Sequence, residues 1–382
     1  MADLTRGEAL AEDFGIVPII NAGGPNTRHS GSRPRPEALK AMEEMAEVFV
    51  RLDELIISAG KRIARSAGVE AATITSGASG GLVLQAAAAI TRGDPEIIAR
   101  LPDTEGIPHE LVIQKCHRFV YDRLYLTPGA RFAETGSADG CTVDELESAI
   151  NENTAGVIHL ESPFKNRGCV PFETLVEIAH SHDLPVLVDA ASMLPPRANL
   201  TRFTDAGADL VSFSGGKGIR GPQSSGMLLG KPEWVEYARL NNAPYPGIAR
   251  AMKVSKEEIA GLVAALDAFL EIDEDRETRE YRKQMESVVD QVAEIPGVHA
   301  EVVHNYDHYI PHAVVTLTDR WRGPQATEIA ERLIAGSPRV YVAAGFGGGN
   351  TIWVDPLNIQ DGELTIVADR LREELLKAAS GH

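Results

Sequence analysis

Apolar runs of four to six residues alternate along this chain with longer segments whose apolar positions recur at helical spacing. Short apolar runs separated by amphipathic helices cannot pair as hairpins, because a helix intervenes before each next strand. They form β-α units that feed a largely parallel sheet. The pattern predicts strands over Ala72–Thr75, Leu111–Gln114, Gly156–Leu160, Pro185–Val188, Leu210–Phe213 and Gly226–Leu229, and helices over Pro36–Ala67, Gly80–Ala89, Phe172–His182 and Glu233–Leu240. The fold class is therefore α/β.

Around Lys256 the texture changes to one long charged helical stretch, Lys256–Ile295, which reads as a connecting helix. The remainder reads as strand (Val298–Val303), strand (His312–Thr318), helix (Gln325–Ile334), strand (Val340–Ala343), strand (Thr351–Val354) and helix (Gly362–Ala379), an order that fits a small α/β domain. With 382 residues, 43 % of them apolar, the chain is long enough for two cores. We expect an N-terminal segment over residues 1–35, a large domain over 36–255 and a small domain over 256–382.

The Met1–Phe14 segment carries acids and no sustained apolar run, and no stretch reaches the ~18 apolar residues a spanning helix needs. Cys116, Cys141 and Cys169 are odd in number and far apart, without zinc-site or disulfide spacing. A reducing, cytoplasmic setting with no membrane partner is expected. A net charge of −18, from 37 Lys plus Arg against 55 Asp plus Glu, opposes the counterion release that nucleic-acid binding rewards, so no nucleic-acid partner is expected.

Four segments carry chemistry. In Asp209-Leu-Val-Ser-Phe-Ser-Gly-Gly-Lys217-Gly-Ile-Arg-Gly-Pro-Gln223 a buried strand runs into a glycine-rich turn that holds one lysine. Such an amine forms imines with aldehydes once burial makes it less basic, although the turn also suits a solvated lysine. Asp189 ends the apolar run Leu184–Asp189, where open α/β sheets bind ligands; a helix N-cap is the plainer role. Thr75-Ser-Gly77-Ala78-Ser79-Gly80 joins a strand to a helix start, a place where backbone N–H groups collect an anion, as many Ser/Gly turns could. His117 follows the Leu111–Gln114 strand and is expected to open a helix, where it either stacks on a flat ring, moves protons or is simply structural. The order of the four, each one or two β-α units apart, makes a site more persuasive than any segment alone.

These segments, with Ile20-Asn-Ala-Gly-Gly24, Gln114-Lys-Cys-His117-Arg, Val188-Asp189-Ala-Ala, Ser214-Gly-Gly-Lys217-Gly-Ile-Arg-Gly-Pro-Gln223 and Met252-Lys-Val-Ser-Lys-Glu-Glu-Ile, resemble the selenocysteine-synthase-like branch of fold-type I pyridoxal-phosphate enzymes. That branch comprises relatives of L-seryl-tRNA selenium transferase and D-glucosaminate-6-phosphate ammonia-lyase. The resemblance spans nearly the whole chain. It implies an aspartate-aminotransferase-like large domain with a mostly parallel seven-stranded sheet, a small α/β C-terminal domain, and pyridoxal 5'-phosphate as cofactor. By the same resemblance Lys217 carries the cofactor as a Schiff base, Asp189 pairs with its ring nitrogen and His117 stacks on the ring. Gly77, Ala78 and Ser79, with Ser214 and Gly216, hold the phosphate, and Ser192 reaches the ring hydroxyl. Gln223 would serve the neighbouring subunit's site, which implies a homodimer or larger assembly to which the N-terminal segment contributes.

The implied activity is a lyase that eliminates a β-substituent from an amino acid through a Cα carbanion, of ammonia-lyase or dehydratase type. Racemase, aldolase and β-replacement chemistry use the same carbanion. A non-catalytic binding protein would not need Lys217, Asp189 and His117 together, and the transferases that act on tRNA look longer and carry a tRNA domain. Arg339, Arg28 and Arg250 are candidates for a substrate carboxylate, since a guanidinium fork matches one bidentately, though surface ion pairs suit each as well. Gly345-Phe-Gly-Gly-Gly349 is followed by strand-like Thr351-Ile-Trp-Val rather than by a helix, so it reads as a hairpin turn and not a dinucleotide turn. His304-Asn-Tyr-Asp-His308-Tyr-Ile-Pro-His312 matches no metal spacing and reads as a loop, so no metal is expected.

Overall fold

The six predicted strands and a seventh lie side by side in one sheet, in the spatial order Ala71–Thr75, Gly226–Gly230, Leu210–Ser214, Val186–Asp189, Thr154–Leu160, Glu110–Gln114 and Arg131–Thr135. The computed structural model describes residues 5–162, 168–305, 309–345 and 349–380. It divides into two compact units, one of Arg33–Ile272 and one of Met1–Ser32 with Asp273–His382.

In the larger unit every pairing is parallel except those of Gly226–Gly230, which runs antiparallel to both neighbours. Val186 and Val188 pack into one apolar layer with Val211, Phe213 and the Lys256–Leu270 helix, whereas Leu187 and Leu210 pack into the opposite layer with Leu82 and Leu84 of the Gly77–Thr91 helix. Both faces are covered, so the central strands read as unbroken apolar runs rather than as an alternation. The edge strand Arg131–Thr135 is more exposed and carries Arg131 and Glu134; its polar residues hid it from the hydrophobic pattern.

Two long helical stretches are each broken. Pro36–Ala67 is two helices, Pro36–Ala46 and Leu52–Ala67, interrupted around Val48-Phe49-Val50, where β-branched and aromatic side chains lose rotamer freedom in a helix. Lys256–Ile295 is likewise two helices, Lys256–Leu270 and Glu274–Val292. Asp273 caps the second by accepting a hydrogen bond from the Arg276 N–H at 2.9 Å. The units divide at this cap. Lys256–Leu270 therefore belongs to the larger unit, where its buried Ile259, Leu262 and Leu266 join the core, and the boundary expected at Lys256 moves to Asp273.

The smaller unit holds an antiparallel sheet in the order Ala343–Ala344, Thr351–Val354, His312–Leu317 and Val298–Val303. Its apolar face is covered by residues of the helices Glu274–Val292, Ala326–Ala335 and Glu363–Ala379. The single strand expected over Val340–Ala343 is two. Val340–Tyr341 pairs in parallel with Ile20–Asn21, and after Val342 the chain joins the other sheet. The glycine run Gly345–Gly349 falls between two strands that pair antiparallel, with its residues 346–348 outside the described residues; His308 lies outside them as well. Among the described residues no helix is long and apolar enough to cross a membrane.

Candidate active site

Parallel strands align their carboxyl ends, and that alignment gathers the candidate residues at one edge of the larger unit's sheet. Asp189 is the last residue of its strand and only 6 % exposed. Its Oδ1 accepts the Ala191 N–H at 3.0 Å. Burial raises its pKa, against the opposing influences of that hydrogen bond and of the charge on Lys217. Ser192, three residues on, is half-buried.

Lys217 sits in the turn that follows the next strand, Leu210–Ser214. Glycine is required on both sides of it. A Cβ on Gly216 would stand 2.4 Å from Gln223 Cα, and one on Gly218 would stand 2.0 Å from the Leu194 carbonyl oxygen. The turn is closed by hydrogen bonds from Gly215 N–H to the Ser225 carbonyl and from Gly221 N–H to the Gly215 carbonyl, at 2.9 and 2.8 Å. Lys217 is half-buried, and burial lowers its pKa despite the attraction of Asp189. Its amine makes no hydrogen bond or ion pair among the described residues.

The third element is the start of the Gly77–Thr91 helix. Gly77 adopts φ +65°, in the left-handed region that suits glycine, and nothing lies within 4 Å of where its Cβ would be. The first N–H groups of this 15-residue helix have no intrahelical acceptor. The Thr75 hydroxyl donates to the Gly77 carbonyl at 2.7 Å and pins the turn. Ser214 and Thr75 flank Gly226 in the sheet, and a Cβ on Gly226 would meet the Gly77 carbonyl at about 2.5 Å, so the lysine turn and the anion turn are neighbours by strand order. Ala78 is buried, whereas Ser79 and Gln223 are exposed.

His117 is 1 % exposed and does not open an α-helix as its sequence suggests. It closes a 3₁₀ turn, Lys115–His117, after which Arg118 is extended, because Asp122 draws the chain into a compact loop by accepting from the Arg118 Nε at 2.5 Å and the Phe119 N–H at 2.8 Å. The Leu160 N–H donates to His117 Nδ1 at 3.4 Å, and the His159 ring packs edge-on at 4.7 Å. His117 and Asp189 line one small cavity with Tyr125, Leu160 and Ile158.

Sequence reading missed the layer beneath. The Gln85 side-chain amide donates to the carbonyls of Val188 and Leu210, at 2.9 and 3.1 Å, and its oxygen accepts from the Tyr125 hydroxyl at 2.9 Å. These bonds hold together the strands that carry Asp189 and the Lys217 turn. The available signal was Gln85 itself, one amide in the apolar stretch Leu82–Ala89. The three candidate arginines are all exposed. Arg28 and Arg339 belong to the smaller unit, where His29, beside Arg28, stacks on Tyr341 at 3.7 Å, whereas Arg250 belongs to the larger unit.

Comparison with known proteins bears on the family and the fold. A family model described as L-seryl-tRNA selenium transferase matches residues 119–295. The chain is 31 % identical to D-glucosaminate-6-phosphate ammonia lyase of Salmonella typhimurium over 95 % of this chain and 97 % of that protein. It is also 31 % identical to 5'-C-glycyluridine monooxygenase-decarboxylase of a Streptomyces species, over 98 % of this chain and 94 % of the relative. A solved structure of a D-glucosaminate-6-phosphate ammonia-lyase superposes with a TM-score of 0.83 over 99 % of this chain and 100 % of that one, at 30 % identity. Seven strands in the observed order, a lysine turn beside a buried strand-end acid and identity along almost the entire length place the chain in the selenocysteine-synthase-like family of fold-type I pyridoxal-phosphate enzymes.

Proposed function

We propose that this chain binds pyridoxal 5'-phosphate at the Lys217 edge of the sheet and acts as a lyase on an amino acid, removing a β-substituent by way of a Cα carbanion. The observation that carries the reading is the Lys217–Asp189 pair, in which burial disfavours the charge on both groups. The residues fit the cofactor in kind. An amine without a described partner suits an aldehyde, a buried acid suits a ring nitrogen, and a left-handed glycine facing open space at a helix start suits a phosphate. Bound there, pyridoxal phosphate supplies an electron sink for negative charge at Cα.

The chain's own residues do the rest. Lys217, made less basic by burial, would hold the aldehyde, and its Nζ would carry a proton to or from Cα. Asp189 commits Oδ1 to Ala191 and keeps its other oxygen for the ring nitrogen. His117, fixed by Leu160 and His159, offers a flat face. Gly77, Ala78, Ser79, Ser214 and Gly216 would hold the phosphate and Ser192 would meet the ring hydroxyl, while Arg339, Arg28 and Arg250 stay the candidates for the substrate carboxylate. The polar D-glucosaminate-6-phosphate relative favours a sugar-derived amino acid as substrate. Gln223, exposed beside the Lys217 turn, supports a homodimer in which it serves the second site.

The test is the visible absorbance of the purified protein with pyridoxal phosphate, for wild type and Lys217→Ala, with D- and L-amino acids and sugar amino acids added in turn. A band lost in the variant and displaced by one class of amino acid, with release of ammonia, supports the reading. A featureless spectrum would overturn it. The equal identity to a monooxygenase-decarboxylase supports a second reading, an oxygen-dependent decarboxylation; consumption of dissolved oxygen with release of carbon dioxide and without ammonia would select it.

A further inference from the structure

The Sγ atoms of Cys116 and Cys169 lie 2.8 Å apart, and neither sulfur is in a disulfide. A disulfide bond is ~2.05 Å long, so less than ~1 Å of approach separates this contact from a covalent link. We propose that Cys116 and Cys169 form a reversible disulfide, an oxidation site one residue from His117. The inference goes beyond the cofactor reading and does not depend on it.

Both thiols stand on backbone that is anchored independently of the sulfur contact. Cys116 is the middle residue of the Lys115–His117 turn. Cys169 lies between Gly168, whose carbonyl accepts the Cys141 N–H at 2.8 Å, and Val170, whose N–H donates to the Gln114 side chain at 2.8 Å. Cys141, buried nearby, directs its own thiol to the Thr142 carbonyl at 3.4 Å and stays outside the pair. Cys116 is buried and Cys169 half-buried, so Cys169 is the sulfur a small reagent meets first. Burial, and then the adjoining Cys116 thiol, push the Cys169 pKa upward, so exchange is slow near neutrality and accelerates as pH rises.

The chemistry balances with a small disulfide as oxidant. The Cys169 thiolate attacks one sulfur of glutathione disulfide, breaking its S–S bond and releasing one glutathione. Cys116 then attacks Cys169 Sγ in the mixed disulfide and displaces the second glutathione. The two protein thiols are oxidised by two electrons, the small disulfide is reduced to two thiols, and the two thiol protons leave on the two glutathiones. The new bond ties the turn that carries His117 to the Gly168–Val170 stretch, so its formation reaches the backbone of a candidate site residue directly.

The experiment exposes the full-length protein to glutathione disulfide at mildly alkaline pH, quenches, denatures and alkylates it, and reads intact mass and peptide map. The expected result is one alkylated cysteine, Cys141, a linked pair of peptides containing Cys116 and Cys169, and a mass lower by two hydrogens before alkylation, all reversed by dithiothreitol. Cys116→Ser leaves glutathione attached at Cys169 with no internal link, whereas Cys141→Ala retains the link. Three alkylated cysteines after oxidation, a link involving Cys141, or a zinc ion bound stoichiometrically by the reduced protein and blocking oxidation would each overturn the proposal.

Discussion

Both units of the molecule bury an acid–base pair, and the two pairs are settled in opposite ways. In the smaller unit His312 Nε2 lies 3.2 Å from Asp355 Oδ2, and His312 Nδ1 bonds the Ile310 carbonyl at 2.7 Å. Burial alone lowers the pKa of His312, but the charge and hydrogen bond of Asp355, with the Ile310 carbonyl, outweigh it and leave the pKa raised. In the larger unit Lys217 and Asp189 feel each other only through charge, and burial moves both toward neutrality. A pair that satisfies itself by hydrogen bonds is structural. A pair held apart and desolvated is costly alone and ready for a third group, which is the usual condition of an active site.

The largest break in this comparison should come from Lys217→Met. The proposed lyase activity falls by at least about 10³-fold, measured as ammonia released from the substrate class that shifts the wild-type spectrum. The same change stabilises the cofactor-free protein by roughly 0.5–2 kcal/mol in urea titration. The sign follows from linkage. The raised pKa of Asp189 costs stability above the unfolded value of 3.8, and the lowered pKa of Lys217 costs stability below 10.5, so both penalties are present at neutral pH. A Lys217→Met protein less stable than the cofactor-free wild type would show that the pair is structural after all.

His312→Ala is the converse test. It leaves Asp355 buried at 5 % exposure without its base and should cost about 3–5 kcal/mol in chemical denaturation. Retained stability would mean that the pair is as dispensable to its unit as the first. Next in size is Gln85→Ala, which strands the Val188 and Leu210 carbonyls and the Tyr125 hydroxyl; about 1–3 kcal/mol of stability should be lost, read by the urea midpoint. The smallest effect is a pH slope. With its folded pKa raised, His312 contributes stability that is full below the unfolded value of 6.5 and is lost as pH rises through the higher folded value. The slope can reach at most ~1.4 kcal/mol per pH unit, and it should vanish in His312→Gln.

The central strands and the lysine turn were legible in the sequence because their signals are local. An apolar run ending in an acid, or a lysine among glycines, needs no knowledge of neighbours. What escaped was set by distance in the chain. Gln85 looks like a helix defect until the strands of Val188 and Leu210 lie beneath it. Cys116 and Cys169, 53 positions apart, look unrelated until their segments are placed. Helix ends escaped for another reason: the charged stretch from Lys256 has helical period throughout, and only the cap geometry at Asp273 reveals where one unit stops.

The strand order also sets a timetable for the growing polypeptide. Thr75, at the sheet's edge, pairs with Gly226 and with no strand made earlier, so the segment that precedes the Gly77 turn waits for about 150 further residues before its partner exists. At ribosomal speeds of roughly 5–20 residues per second that is about 8–30 s. Throughout that interval the apolar strand Ala71–Thr75 stands without its only partner in the sheet, and a nascent chain of this protein is most in need of a chaperone between the synthesis of Ala71–Thr75 and that of Gly226–Gly230.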